Sequence, residues 1–114
     1  MIERQAWLDR AGWHRHTGAV QIESIRHKAL RAFAETGRTK GLLGDSVERL
    51  RNMLAYLVAV ETAEELRVPP NFGAHPLMGD RAGTWSLTVT RNWRMTFRVN
   101  DAGDIEDLDL EDYH

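Results

Sequence analysis

His75, in a loop, and His114, at the chain end, are two side chains that can exchange protons near neutral pH. Asp112 and Tyr113 directly precede His114. Arg94 and Arg98 punctuate the apolar run Trp93–Val99, and Arg81 and Arg91 lie close by in sequence. These types suit RNA cleavage without a metal ion. That reaction needs a base for the 2′-hydroxyl proton, an acid for the leaving 5′-oxygen, and cations around the phosphate as charge builds. Either histidine could take either proton-transfer role. Asp112 could orient a histidine or act as the base, and Tyr113 could stack on a base or donate a proton. Arg94 and Arg98, with Arg91 or Arg81, could clamp the phosphate, because the guanidinium fork binds oxyanions bidentately. Each also has a plainer reading. A histidine before proline is often a loop residue, strand arginines often only solvate a sheet face, and Asp-Tyr-His often merely ends a chain.

Other chemistries find little support. There is no glycine-rich phosphate loop, no His-Glu-x-x-His and no Gly-x-Ser-x-Gly. His14, His16, His27, His75 and His114 show no metal-ligand spacing beyond the His14–His16 pair, so neither a metal nor a cofactor is expected. With no cysteine, disulfides and thiolate sites are excluded. A length of 114 residues at 42% hydrophobic composition points to one small domain with one core. The net charge of −2 hides an asymmetry: residues 101–114 hold seven acids and no Lys or Arg. Residues 1–100 therefore carry ten acids against all fifteen basic residues, thirteen of them Arg. Such a balance favours an anionic partner, although charge also coats any small domain. The longest strongly apolar run, Met53–Val60, is far too short to cross a bilayer. Glu3, Arg4, Asp9 and Arg10 interrupt the stretch where a signal peptide needs apolar residues. A soluble cytoplasmic protein is the expectation.

Positioning these side chains falls to a short series of elements. Residues 1–20 read as an extension: a frayed end, a short surface helix, a start codon assigned too early, or a basic aromatic arm (Arg4, Arg10, Trp13, His14, Arg15, His16) that touches RNA or a partner. The domain proper is then 21–114. Val20–Arg26 alternates loosely as a first strand, with Val20, Ile22 and Ser24 on one side and Ile25 on the other. Lys28–Thr36 turns helical, with Leu30, Phe33 and Ala34 inward and Gly37 as its stop. Asp45 with Glu48 reads as a capping box opening a second helix through about Val60. Its stripe is Val47, Leu50, Met53, Leu54, Leu57 and Val58, with Arg49, Arg51 and Asn52 toward solvent. Thr62 and Glu65 suggest another box, and a short helical turn reaching Arg67 before Pro69-Pro70.

The strands follow. A three-residue loop, Thr90-Arg91-Asn92, pairs Val89 with Trp93, Leu87 with Met95 and Trp85 with Phe97, so that both strands bury one face. Asn92 then takes the left-handed position of that loop. Ser86, Thr88, Arg94, Thr96 and Arg98 share the polar face. Asp104–His114 adds a last strand, with Leu108, Leu110, Asp112 and His114 on one side and Asp107, Asp109, Glu111 and Tyr113 on the other. The expected class is α+β, an antiparallel sheet with two to three N-terminal helices packed on one face.

Three stretches, in this order, resemble the HigB-type toxins, the plasmid maintenance system killer branch of the RelE/ParE superfamily. They are His75-Pro-Leu-Met-Gly-Asp80, Trp85-Ser86-x-Thr88-Val89-x-x-Asn92-Trp93-Arg94-x-Thr96-Phe97, and Glu111-Asp-Tyr-His114. Ile25–Leu30 looks like the family's usual start, so the resemblance covers roughly residues 22–114. It implies a small ribonuclease-type α+β fold and a toxin that cuts mRNA in the ribosomal A site without a metal, leaving a 2′,3′-cyclic phosphate. A helix-turn-helix (HigA-like) antitoxin partner is also implied. By motif, His75, Arg94, Asp112, Tyr113 and His114 fall on the family's active-site positions, and Arg91 is nearest to its second arginine. Met78 stands where the family usually has lysine, a change that could weaken catalysis. Two other readings remain: a ParE-like inhibitor of DNA gyrase without nuclease chemistry, and an impaired relative that mainly binds its antitoxin.

Overall fold

The computed structural model describes residues 20–42 and 44–112. Among the described residues, two α-helices precede a four-stranded antiparallel sheet in the order β1-β2-β3-β4. The helices are α1, Lys28–Thr36, and α2, Val47–Ala59; the strands are β1, His75–Pro76, β2, Thr84–Thr88, β3, Trp93–Val99, and β4, Ile105–Asp112. Leu30, Phe33 and Ala34 of α1, Leu50, Met53, Leu54 and Leu57 of α2, and Trp85, Leu87, Met95, Phe97, Ile105 and Leu108 of the strands bury into one core. The expected extension over residues 1–19 and the chain-end pair Tyr113 and His114 lie outside the described residues.

α1 starts and stops where its sequence directs. The His27 ring accepts a hydrogen bond from the Leu30 amide at 3.2 Å, satisfying one of the orphan donors of the first turn. Gly37 ends the helix in the left-handed region at φ 81°, its amide donating to the Phe33 carbonyl.

α2 departs from the expected capping box. A 3-10 turn, Gly44–Ser46, runs straight into the helix, and Ser46 has αR rather than extended backbone. An N-cap side chain needs the extended conformation to reach back to the first amides, so neither Asp45 nor Ser46 caps. Glu48 pairs with Arg51 instead. Arg51 also lies over the Phe33 ring, 5.5 Å from its centroid, and so ties α2 to α1 rather than simply facing water. At the second predicted box the helical turn is a 3-10 segment, Ala63–Arg67. Its Thr62 hydroxyl makes no cap bond, and the Glu65 carboxylate accepts from the Glu61 amide.

The hairpin has the expected register: Trp85 opposes Phe97, Leu87 opposes Met95, and the Val89 amide donates to the Trp93 carbonyl. Asn92 does not take the left-handed conformation. The Thr90 hydroxyl accepts its amide at 3.3 Å and the Thr90 carbonyl accepts from Trp93, which closes the loop without a positive φ.

Residues 20–26 do not form a regular strand. They run parallel to β4 and touch it at two isolated bridges, Ile22 to Ile105 and Ile25 to Leu108. The interruption has a cause in β4. Pairing with β3 slips between Thr96 and Arg98, and Asp107 has φ 58°, the signature of a β-bulge with one left-handed residue. The Asp107 amide turns out of the ladder and donates to the Ser24 hydroxyl at 2.8 Å. The phase along 20–26 therefore breaks: Ile25 is buried while Ser24 is exposed, the reverse of the alternation expected.

Candidate active site

Residues directly opposite in antiparallel strands share a face, so the register assigns the polar side of the sheet. His75 opposes Ser86, Ser86 opposes Thr96, and Thr96 opposes Asp109. One row along, Thr88 opposes Arg94 and Arg94 opposes Glu111. Ser86 and Thr96 are buried, at 0% and 2% exposure, and form a polar floor between His75 and the arginines. With strands about 4.8 Å apart, His75 stands about 10 Å from β3, a span that a histidine and an arginine can bridge around one phosphodiester.

His75 belongs to an edge strand rather than a free loop. Pro76 suits an edge because it has no amide to offer a neighbour. The preceding backbone turns through left-handed Phe72 and Gly73, φ 56° and 68°, and a Cβ at Gly73 would lie 3.2 Å from the Thr88 hydroxyl. The Phe72 carbonyl accepts from the Thr88 amide. Arg49 fixes this corner. Its guanidinium donates to the Thr88 carbonyl at 2.9 and 3.3 Å and lies 5.1 Å from the Phe72 ring centroid. Arg49 is exposed, but it is a strut and not only a solvating charge. The His75 Nδ1 lies 2.9 Å from the Gly73 carbonyl. A carbonyl only accepts, so Nδ1 donates in this contact and Nε2 is the ring nitrogen left for another partner.

Across the floor, one carboxylate gathers the cations. Arg81 donates through both Nη atoms to the two Glu111 oxygens, each at 2.7 Å. Arg94 Nη2 approaches Oε1 at 3.4 Å, and the Thr96 hydroxyl donates to Oε2 at 2.6 Å. Arg81 sits in the 3-10 turn Gly79–Arg81, so this contact draws the β1–β2 connection across the polar face toward β4. The Arg81 hydrogen bond holds the Glu111 carboxyl down at about 2 against the opposing effect of burial, helped by Thr96 and by the charges of Arg81 and Arg94. The same hydrogen bond raises the Arg81 pKa.

A stability consequence follows from the lowered Glu111 pKa. Its contribution is fully present above about pH 4.5 and is lost as pH falls toward 2. Screening at the Arg81 side, 41% exposed, limits the effect to about 2 kcal/mol. Glu111→Gln should therefore lose about 2 kcal/mol less than the unmodified protein between pH 5 and pH 2. Urea midpoints measured across that range check this, and parallel acid limbs would refute it.

The remaining predicted residues are dispersed. Asp112 opposes Trp93, which places it on the other face of the sheet from Arg94, exposed at the strand end. Arg91 is exposed in the β2–β3 loop. Arg98 opposes Thr84 on the polar face, beyond the bulge, with its guanidinium packed where a Cβ on Gly83 would be, 3.4 Å away. Met78, at 85% exposure, immediately precedes the 3-10 turn that carries Arg81. Sequence reasoning missed Glu111 and Arg49. Strand alternation does put Glu111 on the arginine face, whereas nothing in the α2 stripe singles out Arg49.

Comparison with known proteins matches this sequence to a family. The model of the RelE-like toxin of type II toxin-antitoxin system HigB matches residues 23–114. Endoribonuclease HigB of Proteus vulgaris is 41% identical over 95 residues, covering 82% of this chain and 99% of that protein. On both grounds, the chain belongs to the HigB-like family of RelE-like toxins of type II toxin-antitoxin systems.

Proposed function

We propose that the protein is an endoribonuclease toxin that cuts mRNA in the ribosomal A site, in the cytoplasm, and is neutralised by a helix-turn-helix, HigA-like antitoxin. The observation that carries this reading is the shared face: His75 Nε2 on one side of a polar floor and the Arg81–Arg94 pair on the other. The Proteus vulgaris relative bears the name endoribonuclease, which supports the same reading. His75 takes or gives a proton at the scissile linkage, and Arg94 and Arg81 offset the charge that builds on the phosphate as the 2′-hydroxyl attacks. Tyr113 and His114, which follow Glu111 and Asp112 in the chain, supply base stacking and the second proton transfer. Arg91 and Arg98 contact the RNA backbone outside the reacting phosphate, and Asp112 acts by orienting His114.

The test is a reconstituted translation system. Cuts in ribosome-bound message, with 2′,3′-cyclic phosphate ends and none in naked RNA, are expected. Intact message together with lost DNA supercoiling would establish a gyrase inhibitor instead.

Met78 gives a separate expectation. At 85% exposure it contributes little to the core, so Met78→Lys should leave stability within about 0.5 kcal/mol. A lysine ammonium beside the phosphate should raise kcat/KM about tenfold to a hundredfold. Unchanged cleavage by the folded variant would show that this position lies outside the reach of the developing charge.

A further inference from the structure

Every side chain that holds Glu111 is one that an oxyanion site needs. Arg81 offers a two-pronged fork at 2.7 Å, Arg94 adds a second guanidinium at 3.4 Å, and Thr96 adds a hydroxyl donor at 2.6 Å. A guanidinium grips carboxylate and phosphate with the same bidentate geometry, so this donor set does not distinguish the two anions. The seat is also reachable. The Glu111 side chain is 23% exposed and that of Arg81 41%. Arg94 and Thr96 project from β3, whereas the Glu111 carboxylate ends a flexible side chain that can swing out with β4 unmoved. While Glu111 occupies the seat, its charge cancels one of the two arginines; once it leaves, the seat presents both.

We propose that Glu111 is an internal competitor: in the free protein its carboxylate fills the seat that a phosphodiester of RNA takes, and substrate binding displaces it from Arg81. The identity of the ligand rests on the nuclease reading above; the anion seat itself rests on the donor geometry. A site that is vacant for only a fraction of the time binds its ligand more weakly by that fraction. Glu111 thus holds Arg81 and Arg94 in a binding-ready arrangement and at the same time sets a threshold against weak or isolated anions. A single free phosphate competes poorly, while a polynucleotide anchored elsewhere on the face can displace the carboxylate.

The test uses the full chain, labelled with 15N, and inorganic phosphate as the probe, read from the arginine Nε–Hε resonances. Glu111→Gln should bind phosphate at least about tenfold tighter than the unmodified protein. Adding Arg81→Ala to that variant should abolish the gain. Glu111→Asp, which withdraws the carboxylate by one methylene, should show a smaller gain and serves if the Gln variant does not fold. A folded Glu111→Gln or Glu111→Asp that binds phosphate no tighter than the unmodified protein overturns the proposal. So does a gain that survives Arg81→Ala. RNA cleavage assayed in parallel separates the two ideas. Tighter phosphate binding by Glu111→Gln without cleavage by the unmodified protein supports the seat and overturns the nuclease reading alone.

Discussion

Replacing His75 with alanine is expected to lower RNA cleavage by about 10²–10⁴-fold, the range for a lost general acid or base. The fall should appear in kcat, with KM nearly unchanged, because Arg94 and Thr96 lie two strands away on β3 and the bonds that join Arg81 and Thr96 to Glu111 do not involve His75. Stability should change by less than about 0.5 kcal/mol, since His75 is exposed and its ring contact is the Gly73 carbonyl. His75→Asn sharpens the experiment. Its amide nitrogen can still donate to that carbonyl but cannot carry a proton to or from RNA. Equal inactivity in both variants assigns proton transfer to the ring. Cleavage retained by Asn but not Ala would assign His75 a placing role only.

The largest expected loss of stability is at Phe97. It is 1% exposed, opposes Trp85 on β2, and sits where the β4 bulge interrupts the ladder. Phe97→Ala should cost about 3–5 kcal/mol, because the ring's transfer energy is lost and the cavity collapses only in part. Against a total stability of order 5–15 kcal/mol, this lowers the melting point by on the order of 15 °C. The urea midpoint should fall with an unchanged m-value, which separates a weaker core from an altered denatured state. A loss under about 1 kcal/mol would mean that neighbouring side chains refill the space.

The elements that were legible in the sequence are those whose signals are local and agree with one another. α1 has an apolar stripe and a glycine stop, and it occupies Lys28–Thr36 as expected. The hairpin register follows from counting loop residues against two alternating faces. Misreadings arose where a distant partner decides. Asp45 has the composition of a cap, but the 3-10 turn before α2 denies it the geometry. The 20–26 segment alternates weakly, and its pairing is governed by a bulge more than eighty residues away, where Asp107 donates to Ser24 across a separation of 83. The site shows the same division. Alternation placed Arg94, Thr96 and Glu111 on one face, yet no pattern indicated that Arg81 would cross the sheet to join them. Asp112 and Glu111 are adjacent acids; alternation separates their faces, and the register with β3 sets Glu111 directly opposite Arg94.

That choice between neighbours is settled at Asp107. Ile105 and Leu108 both enter the core, three positions apart, because the bulge absorbs one residue. Before the bulge odd-numbered positions point inward, and after it even-numbered ones do. Parity, once set, carries unchanged to the end of β4 and decides that 111 faces the arginines while 112 does not. Chain length between the bulge and the site is therefore as tightly constrained as residue type. A single insertion or deletion there would exchange the two acids' faces and turn Leu110 away from the core, without altering any side chain that does chemistry.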